Sequence, residues 1–239
     1  MQLGDRLSRI LYLTQLSGVL EYDGADLLLG SSVKGDIQIR QMSRPDNFCR
    51  SRGYVRSPLT ISRLEKSLSM SASLKAMEVA QNQFTRFVRG LNVLMDGLKE
   101  IRGDERLHQC VRALEALVAP ERGQTERQFV HRCQTFVVPG ANAQEVLVES
   151  FRMRSDAEHL NEWDSQLQKH AIADRQDIAW HRTRRIEHLA SATYERVLTD
   201  ANIQQHFKHE GALRLCWKGT DDSTRKGIWG NQIDIARIP

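Results

Sequence analysis

The sequence predicts a mainly α-helical protein, an antiparallel helical bundle with a small β-containing segment at its N-terminal end. Three observations support this prediction. Apolar residues recur at helical spacing from about residue 60 onward, the connections between these stretches are short, and prolines such as Pro120 and Pro139 interrupt the pattern. Short connections favour antiparallel neighbours, so the helices should pack as a bundle.

Residues 1–60 differ from the rest of the chain. Asp23-Gly24 and Gly35-Asp36 are turn signals between short apolar or alternating runs, a pattern typical of a small β-hairpin or meander. We therefore expect three parts: a small β or irregular segment over 1–60, a helical bundle over 61–218, and an extended tail over 219–239.

The helices of the bundle follow from their apolar positions and their stop signals. The stretch over 62–102 is expected to form one long helix or two, with Gly90 and Gly97 as weak points. Pro120 stops the next helix, and Pro139-Gly140 stops the one after it. Further helical patterns cover residues 104–118, 124–137, 142–153 and 172–207, and residues 211–219 extend the helical region.

Composition permits several classes of partner without requiring one. The chain has 239 residues, of which 40% are hydrophobic and 27% charged, with a formal net charge of +4. This is enough for one sizeable core, and the basic balance is compatible with a polyanion. The N-terminal stretch lacks an unbroken apolar core, and no run reaches the length of a membrane span, so we expect a cytoplasmic protein without membrane contact. Four cysteines stand far apart and predict free thiols: Cys49, Cys110, Cys133 and Cys216.

The stretch around Arg154 and His159 carries the main functional prediction. Ser155 and Glu158 fit the S-x-x-E capping box, which would start a helix, or restart one after a kink, at Ser155. Arg154 and His159 would then meet across the helix start, beside free backbone N–H groups and the positive end of the dipole. This combination of a cation, an imidazole and free backbone N–H groups suits a phosphodiester substrate. If the helix instead runs unbroken, the two side chains are separated by about 140° and diverge.

This segment resembles the HEPN superfamily of small helical-bundle domains, particularly its Apea-like branch. Members carry a late-helix motif of an arginine, a polar residue and then a histidine, often preceded by an aromatic residue. Here Phe151 stands for the aromatic residue, Arg154 and Ser155 for the Arg-polar pair, and His159 for the histidine. Residues 112–118 and 127–137 resemble the preceding helices. The resemblance covers roughly residues 84–217.

The resemblance implies a metal-independent endoribonuclease without a cofactor, used as a toxin or in antiviral defence. His159 would act as general base on the ribose 2′-OH or as general acid on the leaving oxygen. Arg154 would stabilise the charge on the phosphorane, and Ser155 would orient either group. The motifs of two protomers usually meet in this family. The resemblance thus implies a homodimer or pseudo-symmetric heterodimer, with an antitoxin or a larger defence complex as a further partner.

A second basic stretch offers candidate RNA-binding residues. Arg182 and Arg185, with His181, could line an RNA groove, and a solvated helix face with Glu187 as partner is the alternative. The alternative function is a catalytically inactive helical interaction or RNA-binding subunit of a larger defence or nucleic-acid complex. Separate ionic contacts for Arg154 and His159 would favour that alternative.

Overall fold

The structure is a computed structural model that describes residues 3–18, 28–33, 36–41, 60–80 and 82–238. It is mainly α-helical, as the sequence predicts. The α-helices are α1 (Leu3–Thr14), α2 (Ile61–Val79), α3 (Thr85–Lys99), α4 (Gly103–Val118), α5 (Thr125–Cys133), α6 (Ala141–Glu158), α7 (Asp164–Leu167), α8 (Arg175–Thr199), α9 (Ala201–Gln204), α10 (Glu210–Arg214) and α11 (Asp222–Trp229). A π-helical turn, Leu215–Gly219, continues α10. Two strands, β1 (Leu28–Val33) and β2 (Asp36–Gln41), pair antiparallel.

Helix α4 lies at the centre of the fold, where it packs against α3, α5, α6 and α8. Leu107, Leu114 and Leu117 of α4 are fully buried, and they repeat at the spacing that places them toward neighbouring helices. Arg106 is buried among them with 1% of its side chain exposed, and its guanidinium lies 3.3 Å from the Glu187 carboxylate of α8. The core is therefore organised around α4 and includes the buried Arg106–Glu187 ion pair.

Gly90 allows α3 to approach α4 and α8 closely. A Cβ atom at this position would lie 1.9 Å from the hydroxyl oxygen of Tyr194 and 2.5 Å from the Cβ of Ala116. The same hydroxyl donates a hydrogen bond to the Ala113 carbonyl at 2.8 Å. Gly90 thus serves packing within α3, and the break predicted in this region lies earlier, between α2 and α3, where Phe84 adopts a left-handed conformation.

The N-terminal segment contains a helix that the sequence analysis did not predict. Helix α1 packs against α2, and Leu13 and Leu16, at and just after its end, are buried in the same core as the bundle. The core therefore extends beyond the predicted boundary at residue 60. Residues 19–27 and 42–59 lie outside the described part of the chain, so the predicted β or irregular character of the whole segment stays a prediction.

The prediction of an extended tail over 219–239 is wrong. Residues 222–229 form α11, whose start is capped by the Asp221 side chain, which accepts a hydrogen bond from the Thr224 N–H at 3.0 Å. The Trp229 ring packs 4.4 Å from the Phe136 ring, and the Ile233 N–H donates to the Phe136 carbonyl at 2.8 Å. An eight-residue helix is too short to produce a clear periodic pattern, which explains the error.

Three cysteines agree with the predicted free thiols. Cys110, Cys133 and Cys216 are buried thiols, and burial raises the pKa of the Cys133 thiol well above its usual value. Cys49 lies outside the described residues. Among the helices that the structure describes, none combines the length and apolar character needed to cross a membrane.

Candidate nucleic-acid interface

Arg154 and His159 lie at the end of a helix rather than at its start. Helix α6 runs without a break through Ser155, and the His159 N–H donates to the Ser155 carbonyl at 3.2 Å. The prediction that Ser155 caps a helix start is therefore wrong. The buried side chain of Met153 continues the core contacts of α6 up to this point, so the helix persists through the S-x-x-E pattern.

The Arg154 guanidinium is held between two carboxylates. Its Nη2 lies 2.9 Å from Glu115 Oε2 on α4, and its Nη1 lies 2.6 Å from Glu158 Oε2. Only 16% of the Arg154 side chain is exposed, and the guanidinium carbon lies 5.8 Å from the centre of the Phe151 ring. Burial raises the pKa of the Glu115 carboxyl even with Arg154 beside it. These contacts fix Arg154 against α4 and offset its charge locally.

His159 directly follows the last residue of α6, and its side chain is exposed. Five positions on a helix correspond to about 140° of rotation, so His159 and Arg154 point in different directions. Arg154 contacts α4, whereas His159 faces solvent. Within one chain, the structure does not bring the two predicted catalytic side chains together. Their meeting across a dimer stays a prediction of the resemblance.

A second imidazole, His108 on α4, interacts with the charge of Arg154. Burial, then Arg154 and Arg112, lower the pKa of His108, and the nearby Glu158 opposes this effect. His108, Arg112 and Glu115 stand at i, i+4 and i+7, which places them on one face of α4. Helix α4 therefore contributes an imidazole, a guanidinium and a carboxylate beside Arg154. The sequence analysis missed this face because its residues match no motif.

The predicted RNA-binding stripe on α8 is largely occupied by contacts within the protein. Arg182 Nε lies 2.6 Å from Glu149 Oε2, and the two side chains are 8% and 7% exposed. Arg185 is half-buried and donates to the Ile238 carbonyl at 3.4 Å, and His181 is half-buried as well. This part of α8 packs against α6 and the C-terminal residues, so the three side chains do not form an open basic surface.

Metal-binding side chains are not grouped in the part of the chain that the structure describes. No three His, Cys, Asp or Glu side chains there are placed to hold one metal ion. His131 and Cys133, neighbours in sequence, have different surroundings. Cys133 is buried, whereas His131 Nε2 lies 3.1 Å from Asp222 Oδ2. Cys133 therefore packs in the core.

A basic groove, not predicted from the sequence, lies beside α3, α4 and residues 207–218. It consists of two adjoining cavities of about 510 Å³ and about 180 Å³, which share Arg86, Glu210 and Leu213 in their walls. The acidic side chains of the groove are Glu115, Glu121 and Glu210. The Lys and Arg side chains are Arg86, Arg89, Arg112, Arg132, Lys208, Arg214 and Lys218. Seven basic against three acidic side chains give the groove a positive excess.

Three cations of the basic groove are held by neighbouring protein groups. Arg86 lies 3.2 Å from the Glu210 carboxylate, and Lys218 pairs with Glu121. Arg132 is buried and donates to two backbone carbonyls where α4 ends, at 2.8 Å and 2.6 Å. These contacts stabilise the walls of the groove, and the Arg132 charge complements the negative end of α4.

The remaining four cations have no such partner. Within the described part of the chain, no carboxylate lies within 4 Å of any of them, and Arg112 donates only a long hydrogen bond of 3.5 Å to the Gln109 amide oxygen. The four are Arg89, Arg112, Lys208 and Arg214. Unpaired cations on a concave surface create a positive potential that attracts anions.

The start of α3 adds to this potential. Phe84 precedes the helix in a left-handed conformation, no side chain caps the first turn, and that turn contains no acidic residue. The Phe84 N–H donates to the Lys208 carbonyl at 2.6 Å, which fixes the backbone of Lys208 beside the helix. Asn82 and Thr85 line the larger cavity at this end. The positive end of the α3 dipole therefore lies at the cavity wall.

The basic groove could not be found by local inspection of the sequence. Arg86 and Arg89 are three positions apart on α3, a weak signal, whereas Arg112 and Lys208 come from distant segments. Only the packing of α3 against α4, and of residues 207–218 across both, brings them together.

Comparison with known proteins assigns no family to this chain. No protein-family model matches the sequence, and neither a curated protein nor a solved structure matches it. The resemblance to the HEPN superfamily therefore stays a prediction.

Proposed function

We propose that this chain is a catalytically inactive helical module that binds RNA through the basic groove. The observation that carries the proposal is the set of four unpaired cations, Arg89, Arg112, Lys208 and Arg214, along one concave surface. Phosphate contacts by lysine and arginine supply most of the sequence-independent affinity of proteins for nucleic acid. A groove with this charge suits the backbone of an RNA strand.

The contacts of the predicted catalytic pair support the inactive form of the hypothesis. Arg154 is already paired with Glu115 and Glu158, so it has no unpaired charge to offer a phosphorane. His159 is exposed and points elsewhere, so no imidazole of that pair stands ready to exchange a proton with the same substrate. RNA would bind on the other side of Glu115, in the groove.

The salt dependence of binding tests this proposal. Each phosphate contact made by a single strand lowers the logarithmic slope of affinity against salt by about 0.7, so four contacts predict a slope on the order of −3. We would measure the anisotropy of a short labelled RNA over a series of KCl concentrations. Arg89→Gln and Arg214→Gln should each weaken binding and reduce the slope by roughly 0.7.

A matched control lies outside the groove. Arg152→Gln also removes one exposed arginine charge, but that arginine pairs with Glu126 on α5 at 2.8 Å. Its effect on affinity and slope should be close to zero. If the parent protein does not bind RNA, or if Arg152→Gln weakens binding as much as Arg89→Gln, the groove is not an RNA-binding surface.

The same RNA tests the ribonuclease hypothesis. Incubated in EDTA with the parent protein, it should remain intact. Cleavage by the parent that is lost in both Arg154→Ala and His159→Ala, with products ending in a 2′,3′-cyclic phosphate, would replace the inactive module with an active endoribonuclease. Assembly as a homodimer or within a larger defence complex stays a prediction, and light scattering of the purified protein tests the first of these.

A further inference from the structure

The larger cavity of the basic groove has the size and composition of a small-ligand site. Its volume of about 510 Å³ lies within the range of roughly 300–1,000 Å³ that such sites occupy. Apolar side chains form part of its wall, among them Val93, Ala116, Phe207 and Leu213. Phe207 and Leu213 are largely buried, so packing fixes these apolar side chains in the cavity wall. An internal stretch of RNA backbone needs no such surface.

The larger cavity has more cationic than anionic side chains in its wall. Its two carboxylates are each paired with an arginine, Glu115 with Arg154 at 2.9 Å and Glu210 with Arg86 at 3.2 Å. Its other cations, Arg89, Arg112 and Lys208, come from three separate segments and have no carboxylate partner in the described part of the chain. Three cations therefore remain around a half-open cavity whose wall is partly apolar.

We propose that this cavity binds the phosphorylated end of an RNA strand, a deeper form of the proposed function on which it rests. The terminal base would lie against Phe207 and Leu213, and the phosphate monoester would lie among Arg89, Arg112 and Lys208. A monoester carries about −1.5 to −2 charges near neutral pH and presents three acceptor oxygens, whereas an internal diester carries a single charge. Three cations from separate segments match the monoester better.

The test compares RNAs that differ only at their ends. Anisotropy competition would use one short sequence with a 5′-phosphate, with a 3′-phosphate and with hydroxyl groups at both ends. One of the two phosphorylated RNAs should bind roughly tenfold more tightly than the RNA with hydroxyl groups at both ends. This is the factor that one additional charge-assisted hydrogen bond supplies. A free nucleoside monophosphate, which has the same chemistry, would be added as a competitor.

Two variants locate the preference. Lys208→Gln and Arg112→Gln should remove the preference for the phosphorylated end. Arg214→Gln, in the smaller cavity, should weaken binding of all the RNAs by a similar factor and keep the preference. Loss of the preference in Arg214→Gln but not in Lys208→Gln would place the end of the strand elsewhere and overturn the assignment.

The outcomes separate the two proposals. Equal binding of phosphorylated and hydroxyl RNAs would overturn the cavity assignment and leave the RNA-binding function standing. Binding of neither would overturn the proposed function, and the cavity assignment with it. Displacement of the RNA by a nucleoside monophosphate at a similar concentration would show a site for free nucleotides, and the RNA end would then be the wrong occupant.

Discussion

Replacement of Gly90 by alanine should destabilise the protein, because three helices meet at this position. The new Cβ would lie 1.9 Å from the Tyr194 hydroxyl and 2.5 Å from the Cβ of Ala116, far inside contact distance. Tyr194 is fully buried, so its ring must move and its 2.8 Å hydrogen bond to the Ala113 carbonyl must stretch or break. The change acts on the interface that also forms a wall of the larger cavity.

The size of the effect follows from three contributions. Overpacking a core costs about 1–3 kcal/mol. Loss of a buried hydrogen bond that leaves a group unsatisfied costs about 1–3 kcal/mol. Alanine in a helix interior is more favourable than glycine by about 1 kcal/mol, so the net loss should be about 3 kcal/mol. For a chain of this size the melting temperature should fall by roughly 6–12 °C.

Thermal unfolding followed by far-UV circular dichroism measures this change, and two variants provide its controls. Gly227→Ala lies inside α11 with no atom within 4 Å of the added carbon, so it should leave the protein unchanged or slightly more stable. Tyr194→Phe removes the atom closest to the new Cβ, so the cost of Gly90→Ala should be smaller in that background. An unaltered melting temperature for Gly90→Ala, or the same cost in both backgrounds, would refute the reasoning.

Three further predictions concern residues that the sequence analysis singled out or missed. Arg182→Ala should cost about 3 kcal/mol of stability in denaturant unfolding, because it leaves Glu149 in a buried site without that arginine, and RNA affinity should change little once the protein is folded. Ser155→Ala should leave the melting temperature within about 1 °C of the parent value or raise it, because Ser155 caps no helix start; a loss of about 1 kcal/mol would restore the capping hypothesis. The pKa of His108 is lowered from 6.5 by burial, then by Arg154 and Arg112, so folding favours the neutral imidazole. Its contribution to stability is present above pH 6.5 and is lost as the pH falls through the lowered pKa. On acidification to about pH 5, the melting temperature of His108→Gln should therefore fall by less than that of the parent protein. Equal decreases in the two proteins would contradict this cause.

The helical class could be predicted from the sequence because it depends on local periodicity. The apolar spacing along α4 and α8 and the stop at Pro120 are visible within a few turns of chain. Ser155 shows the limit of a local pattern. The S-x-x-E spacing is the same at a helix start and in a last turn, and the choice depends on whether the preceding residues remain packed, as Met153 does.

The candidate site depended on contacts that no local pattern reveals. Whether Arg182 is an exposed RNA ligand or half of a buried pair is decided by Glu149, which lies 33 positions away. The basic groove joins Arg112 of α4 to Lys208, which lies just before α10. Tertiary packing set these surroundings, and for that reason the sequence could supply the charges but not their partners.

The packing of α11 and the residues after it against the rest of the protein determines what proteolysis before α11 would do. Gly219, the last residue of the π-helical turn, and Asp221, just before α11, are exposed, whereas Trp229 and Ile235 beyond them are buried against the rest of the protein. A protease that nicks this connection would divide the backbone without dividing the folded particle. Two bands would separate on a denaturing gel, while the nicked protein would still elute from a sizing column as one species.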